Sequence, residues 1–362
     1  MKIVIIGYGI AAANAAKRLK KEGHDITIIS GEEHAPFYRA RVLELLEGKS
    51  ITDISMPKES VNIVNGTAVF IDRGARSVIL ESGEKVSYDE LILATGANAN
   101  ALPVKSDRIM TIRSIADTET LMDKLKGSEH VAVLGGGLLG LEAAVKIHDY
   151  TQKRVAVIES AQWLLSRQFR EDEGRFLEKK LSAMGLDVIT GASGAVVEDG
   201  VKISLPDGRN FEFDLLVCSI GVRPEVSLAK ACGLEVNRGI VVDEHLRTSD
   251  EHIHAIGDCA EADGKTPCMI SAALDMARVV LNPAKTYRTA SPSAVLKIAG
   301  LDAVALGLED EGSIRTVKES EATREVFVTK DGILTGYYAI GTASNMVKAK
   351  MALSKPFDVT AF

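Results

Sequence analysis

Cysteine is scarce in this chain, with four residues in 362, and none stands before Cys218. Cys218, Cys232, Cys259 and Cys268 form no C-x-x-C pair and no ligand-like cluster. Neither a metal knuckle nor a local redox dithiol is therefore expected, and free thiols fit a reducing cytoplasm. Seven histidines show no paired spacing, so no metal site is expected from them either. Long apolar runs are also absent. None approaches the roughly 20 residues of a membrane span, so no membrane contact is expected. The chain enters an apolar strand pattern almost at once, which leaves no room for a signal peptide. Positive charge is not in excess: 43 Lys and Arg stand against 50 Asp and Glu, a net charge of -7. That balance argues against nucleic-acid binding. The length suits two or three domains with their own cores, and 46% hydrophobic with 26% charged residues is ordinary for a globular protein.

Glycine, by contrast, recurs in a pattern. Gly7-Tyr8-Gly9-Ile10-Ala11-Ala12 follows the apolar run 3–6, and Gly135-Gly136-Gly137-Leu138-Leu139-Gly140 follows the run 131–134. Both match G-x-G-x-x-G/A between a strand and a helix, the context that a dinucleotide-binding turn requires. Gly7 and Gly135 make the tight turn. Gly9 and Gly137 bring no side chain to the pyrophosphate, and Ala12 and Gly140 let the helix close on its strand. The helix N-terminus then offers N–H groups to the anion.

The match continues past each turn, so the chain reads as an internal duplication. Helices are expected over about 11–21 and 138–150, second strands over 26–29 and 155–158. Ser77-Val78-Ile79-Leu80 turns at Ser82-Gly83, as Val201-Lys202-Ile203-Ser204-Leu205 turns at Asp207-Gly208. Closing strands end in Ala94-Thr95-Gly96 and in Ser219-Ile220-Gly221. Beyond lie a strand at 239–243, the segment Ile253-His254-Ala255-Ile256-Gly257-Asp258, a helix over about 271–281 broken by Asn282-Pro283, and a linker over 284–293. The rest reads as a small α+β unit with strands near 295–298, 303–306, 325–329 and 333–340 and a last helix over 343–353.

An acid at the end of the second strand normally holds a ribose 2′-hydroxyl. Glu159 is that acid in the second copy. Its carboxylate would repel a 2′-phosphate, which favours NADH over NADPH, although Arg167 and Arg170 follow within two turns. The alternative is a solvated strand-end Glu. In the first copy the place is Ser30, with Glu32 and Glu33 just beyond. Glu142 either supplies an ordinary N-terminal helix charge or faces a flavin from the nicotinamide side.

In these motifs and their order the chain resembles the pyridine nucleotide–disulfide oxidoreductase superfamily. The order is FAD fingerprint, A-T-G strand, NAD fingerprint and G-D motif, and it covers residues 1 to about 285. The resemblance implies an α/β fold of two interleaved Rossmann-like FAD and NAD domains plus a small C-terminal α+β domain. The implied boundaries are 1–103 and 226–285 for FAD, 104–225 for NAD and 294–362 for the C-terminal domain. It implies FAD contacts from Gly7, Tyr8, Gly9, Ile10, Ala11, Ala12, Ser30, Glu32, Arg39, Ala68, Ala94, Thr95 and Gly96. Gly257, Asp258, Ser271 and Lys297 complete that set, with Asp258 on the ribityl chain. For NADH it implies Gly135, Gly137, Leu138, Leu139, Gly140, Glu159 and Gly221.

Disulfide reductases of this superfamily carry C-x-x-x-x-C after the first βαβ unit, and peroxidases, water-forming oxidases and coenzyme A disulfide reductases carry one redox cysteine near there. This chain has Pro36-Phe37-Tyr38-Arg39-Ala40-Arg41-Val42-Leu43-Glu44 instead. Its Y-R-x-R pattern, Leu296-Lys297-Ile298-Ala299-Gly300 and the short C-terminal domain resemble NADH:rubredoxin oxidoreductases. Ferredoxin reductases place a Lys near position 44 to pair with the Glu of the second fingerprint. Here Arg41 is the expected partner of Glu142, and both are candidate catalytic residues. Met276-Ala277 stands where the superfamily has Gln-Gly. The implied function is an FAD-dependent NADH reductase, monomeric or homodimeric, that serves a small redox protein such as rubredoxin. An oxygen-consuming NADH oxidase, a reductase component of an oxygenase or nitrite reductase system and a non-enzymatic NADH sensor remain open. Lys348, Lys350 and Lys355 make the C-terminal end basic, as a docking patch for an acidic partner or as a solvated helix face.

Overall fold

The computed structural model describes residues 1–358 apart from positions 33, 35, 59, 199–200, 290–292 and 299–300. Its contacts form two compact units: 1–44 with 49–99 and 222–290, and 45–48 with 100–221 and 291–362.

The first unit is built on a five-stranded sheet. In spatial order its strands are Ile253–Ala255, Glu90–Leu93, Lys2–Ile6, Asp25–Ser30 and Asn62–Asn65, all parallel. Ile3, Val4, Ile5, Leu91, Ile92 and Ile28 are wholly buried, as strands covered on both faces require. The helix Ile10–Lys21 covers one face through Ala11, Ala12, Ala13, Ala15, Ala16 and Leu19. These small side chains let the helix Ile270–Val279 pack closely against it. Arg18 locks the pair by donating to the carbonyls of Ala277 and Val280.

The second unit repeats the plan. Its parallel sheet runs Asp187–Ile189, Arg154–Ile158, His130–Leu134, Leu215–Cys218 and Ile109–Thr111. In both units the fingerprint strand lies between the second strand and the closing strand. The fifth strand comes from after the inserted segment in the first unit and from before the fingerprint in the second. An antiparallel three-stranded ribbon accompanies each sheet, at 68–87 and 196–212. The duplication reaches single hydrogen bonds. Asp89 accepts from the Lys2 N–H at 2.7 Å, and Asp214 accepts from those of Glu129 and His130 at 2.8 and 2.9 Å. These bonds hold the Asp214 carboxyl below the usual carboxylate range.

The same unit holds an antiparallel sheet in the order 293–298, 301–307, 333–340, 324–330, 314–319, with the helix Met346–Ala352 on it. Phe327, Leu334, Tyr337 and Ala339 form its core. The strand Ile314–Glu319 is absent from the sequence-based expectation. It is an edge strand with little buried surface, so its pattern carries no alternation. The helices Ile115–Leu125 and Glu171–Ala183 are further additions. The first announces itself by a capping box, Ser114 with Asp117.

Candidate functional site

The two glycine turns have one geometry. Gly7 donates to the Ile29 carbonyl at 2.9 Å and has φ +98°. Gly135 donates to the Ile158 carbonyl at 2.8 Å and has φ +115°. A Cβ on Gly7 would overlap the Ala94 carbonyl oxygen, and one on Gly135 would overlap that of Ser219. Each turn is thus closed by the backbone at the end of its closing strand, which leaves no room for a side chain on Gly7 or Gly135. Gly9 and Gly137 cap their helices with φ -83° and -82°. Apart from their chain neighbours, no atom of the described residues lies within 4 Å of the place where their Cβ would be. The protein itself does not require glycine at either position, so the requirement lies with something that approaches from outside.

Neither fingerprint helix has a side-chain cap or an acid in its first turn. By comparison, Ser114 and Asp117 cap the helix Ile115–Leu125. The first N–H groups after Gly9 and Gly137 therefore suit an anion, and a pyrophosphate fits both turns. Ala12 is buried against its strand, whereas a Cβ on Gly140 would overlap the Gly135 carbonyl oxygen. The second turn is the tighter of the two.

Beside the first turn, Ser30 ends its strand buried, and its Oγ accepts from the Glu32 N–H at 3.3 Å. Glu32 pairs with Arg39, whose guanidinium lies 5.0 Å from the centre of the Phe37 ring. A cleft of 640 Å³ opens here between Ser30, Glu32, Asn65, Thr67, Glu81 and Ser82. The structure so brings Ser30 and Glu32 into one concavity and adds four polar residues that the motif reading lacked. Asn65 ends the neighbouring parallel strand, and that position was the available signal. Ala68 begins the strand that follows Thr67. Thr95 donates from Oγ1 to the Glu225 carbonyl at 2.7 Å, and Gly96 has φ +73°.

Gly257 has φ +76°, and its N–H meets Met276 Sδ at 3.2 Å. Met276, wholly buried, so takes a polar part where Gln was expected. Asp258 is half-buried in the turn Gly257–Cys259, and Ser271 is exposed in the first turn of the helix Ile270–Val279. Lys297 lies on the strand Ser293–Ile298, with its side chain outside the described residues.

In the second unit Glu159 is fixed on both oxygens. Oε2 accepts from the Gly136 N–H at 2.6 Å, and Oε1 accepts from the Ala161 N–H at 2.7 Å and the Ser160 hydroxyl at 3.0 Å. The carboxylate therefore stands at the edge of the fingerprint turn, where a ribose would lie. Gly136, a variable position of the motif, is a residue the sequence reading missed. A Cβ there would press on Leu164 and lie 3.1 Å from Glu159 Oε2. Arg170 is tied to Glu309 at 2.9 Å. Gly221 has φ +93° and its carbonyl accepts from the Asn100 N–H at 2.9 Å.

Arg41 is engaged within its own unit. Its Nε and Nη2 donate to Glu44 at 2.8 and 2.7 Å, and its Nη1 to the Asp53 carbonyl at 2.9 Å. The segment Arg39–Glu47 is a 3₁₀ helix, in which residues i and i+3 stand one above the other. Glu44 is so the natural partner of Arg41. A cation beside Glu142 is Lys146, one turn along the same helix, with Nζ 3.8 Å from Oε1. Lys146 is buried and also donates to Glu47.

Cys218 and Cys259 are buried, and burial pushes the Cys218 thiol up to about 11 and the Cys259 thiol up as well. Buried thiols held protonated are poor redox groups. Among the described residues no group of three or more His, Cys, Asp or Glu could hold a metal ion, and no helix is long and apolar enough to cross a membrane. A variant with all four cysteines replaced by Ser or Ala is expected to keep its flavin reduction by NADH within about twofold. A loss of more than about tenfold in folded, flavin-loaded protein would assign a thiol to the reaction.

The model of one family, pyridine nucleotide-disulphide oxidoreductase, matches residues 1–277. The chain belongs to that family. Family membership makes it a pyridine nucleotide-dependent oxidoreductase that works with FAD and NAD(H), and the two glycine turns fit two such dinucleotides. The NADH-rubredoxin oxidoreductase of Clostridium acetobutylicum is 32% identical over 99% of this chain and 96% of its own. The assimilatory nitrate reductase electron transfer subunit of Bacillus subtilis is 30% identical over 99% of this chain, which spans only 50% of that protein. Among solved structures, a ferredoxin reductase from Rhodopseudomonas palustris is similar with a TM-score of 0.87 and 28% identity, over 99% of this chain and 98% of its own.

Proposed function

We propose that this family member is an FAD-dependent NADH reductase that hands electrons to a small redox protein, rubredoxin being the first candidate. The observation that carries the reading is the pair of matched glycine turns, each open at its second glycine, in a chain whose N-terminal half contains no thiol. Two dinucleotides and no sulfur relay leave the flavin as the redox centre. Residues 1–103 and 226–285 would hold FAD, and 104–225 would hold NADH. The likeness to the clostridial rubredoxin oxidoreductase over nearly both full lengths supports rubredoxin. A second reading, a reductase component serving a nitrate or nitrite reductase, is favoured by the match to the Bacillus subtilis subunit.

When bound, NADH and FAD supply the two-electron transfer and the later release of single electrons. The chain's residues bind and orient. N–H groups after Gly9 and Gly137 take the two pyrophosphates. Asp258 would hold the ribityl chain and Glu32 the FAD adenosine. Glu142 would face the nicotinamide. Glu159 would accept from the NADH ribose hydroxyls and repel a 2′-phosphate, with Arg170 held away by Glu309. A charge-assisted hydrogen bond of about 1.5–3 kcal/mol corresponds to a tenfold or greater preference for NADH in kcat/KM. Equal kcat/KM for NADH and NADPH would remove this role from Glu159. The acceptor is tested by stopped-flow reoxidation of the NADH-reduced protein with rubredoxin, ferredoxin and oxygen. Rubredoxin is expected to be fastest, with a rate that falls as salt rises if charges steer the encounter. Rapid reoxidation by oxygen, with rubredoxin no faster than a dye of equal driving force, would replace the reductase reading by an oxidase.

A further inference from the structure

Lys146 is a long cation in an unusual place. It belongs to the buried face of the helix Leu138–Thr151, beside Ala143, Ala144, Val145 and Ile147, and is 9% exposed. An ammonium group is costly to bury without anionic partners. Lys146 is supplied with them: its Nζ donates to Glu47 and stands 3.8 Å from Glu142 Oε1. Both carboxylates are themselves largely enclosed, with side chains 21% and 20% exposed. The helix spacing is i to i+4, with Glu on the N-terminal side, the favourable orientation for such a pair. Glu142 follows Gly140 by two residues, so the triad adjoins the turn that fits the second dinucleotide.

We propose that Lys146 is the positioning residue for Glu142: anchored on Glu47, it holds the Glu142 carboxylate ionised and turned toward the nicotinamide end of the bound nucleotide. A fixed carboxylate there favours the positive charge that the nicotinamide ring gains when its hydride leaves. Without the ammonium group, Glu47 and Glu142 lose a counter-charge that they share. One of them then takes up a proton or turns to solvent. The inference rests on the reading that Glu142 faces the nicotinamide.

The test compares NAD⁺ with ADP-ribose, which lacks the nicotinamide, by calorimetry on the oxidised, FAD-loaded protein at neutral pH. Lys146→Met is expected to weaken NAD⁺ about tenfold, the size of one charge-assisted contact, and to leave ADP-ribose within twofold. Lys146→Arg should restore NAD⁺ binding. The double variant with Glu142→Gln should lose no more than Glu142→Gln alone, because Lys146 acts through Glu142. If Lys146 acted only as a nearby positive charge, its removal would tighten NAD⁺, and that sign would overturn the inference. Equal weakening of NAD⁺ and ADP-ribose would overturn it too, by assigning Lys146 a general structural role. Should Lys146→Met not fold, Lys146→Gln must show the same sign. An unchanged NAD⁺ to ADP-ribose ratio in Glu142→Gln would instead remove the reading of Glu142 on which the inference rests.

Discussion

Gly9→Val should give a folded, colourless protein, and Gly137→Val a yellow protein that NADH no longer reduces at useful rates. Both expectations follow from empty space. Apart from chain neighbours, no atom of the described residues lies within 4 Å of either missing Cβ, and both backbones have ordinary φ values. A valine therefore costs the fold little beyond its weaker helix-end preference. It does fill the approach to the helix N-terminus, where a pyrophosphate needs bare backbone. Loss of that approach should weaken the nucleotide by on the order of a hundredfold or more, about 3 kcal/mol. Gly7→Val is the contrasting control. There φ is +98° and the side chain would run into the Ala94 carbonyl, so folding itself should fail. Flavin content, thermal midpoint and NADH binding separate the three cases. Stoichiometric flavin in Gly9→Val would contradict the assignment of the first turn.

Glu173→Ala should destabilise the second unit by about 3–5 kcal/mol, nearer the lower figure. Glu173 is 1% exposed, and its Oε1 accepts from Arg315 at 2.6 Å and Arg324 at 3.0 Å. Those two arginines lie on neighbouring strands of the C-terminal sheet, and Glu173 lies in the first turn of the helix Glu171–Ala183. Arg315 also holds Glu309 at 3.1 Å, which in turn holds Arg170 at 2.9 Å. Removing the central carboxylate leaves two enclosed guanidinium groups with only their outer partners. Those partners, Glu309 for Arg315 and both Glu319 and Asp172 for Arg324, keep the cost at the lower end. A cost of this size lowers a melting midpoint by roughly 6–20 °C. Trp163, the single tryptophan, reports on it, since its indole packs where Gly174 of the same helix has no side chain. A shift below about 2 °C would contradict this account of the network.

Much of the scaffold was legible because the duplication supplied its own check. Short apolar runs before Gly7 and Gly135 matched strands, and Asp89 and Asp214 stood at equivalent places before the closing strands. What escaped the sequence was set by contacts distant in the chain. Gly136 is needed because a Cβ there would press on Leu164 and on Glu159, the latter 23 residues away and bonded to its N–H. The cleft residues Asn65, Thr67, Glu81 and Ser82 come from a strand end and a ribbon that no motif marks. Arg41 was paired with Glu142 by charge and order alone. The 3₁₀ geometry of its segment gives Arg41 a partner in Glu44, and a cation beside Glu142 comes from one turn along its own helix.

The central claim, that the flavin is the redox centre and works without a thiol, is tested most directly by anaerobic titration of the purified yellow protein with NADH. NADH and FAD each carry two electrons, so full bleaching of the flavin should need one equivalent of NADH. The same end point should hold after alkylation of accessible thiols. A requirement for two equivalents, or a flavin that NADH leaves oxidised, would contradict the account.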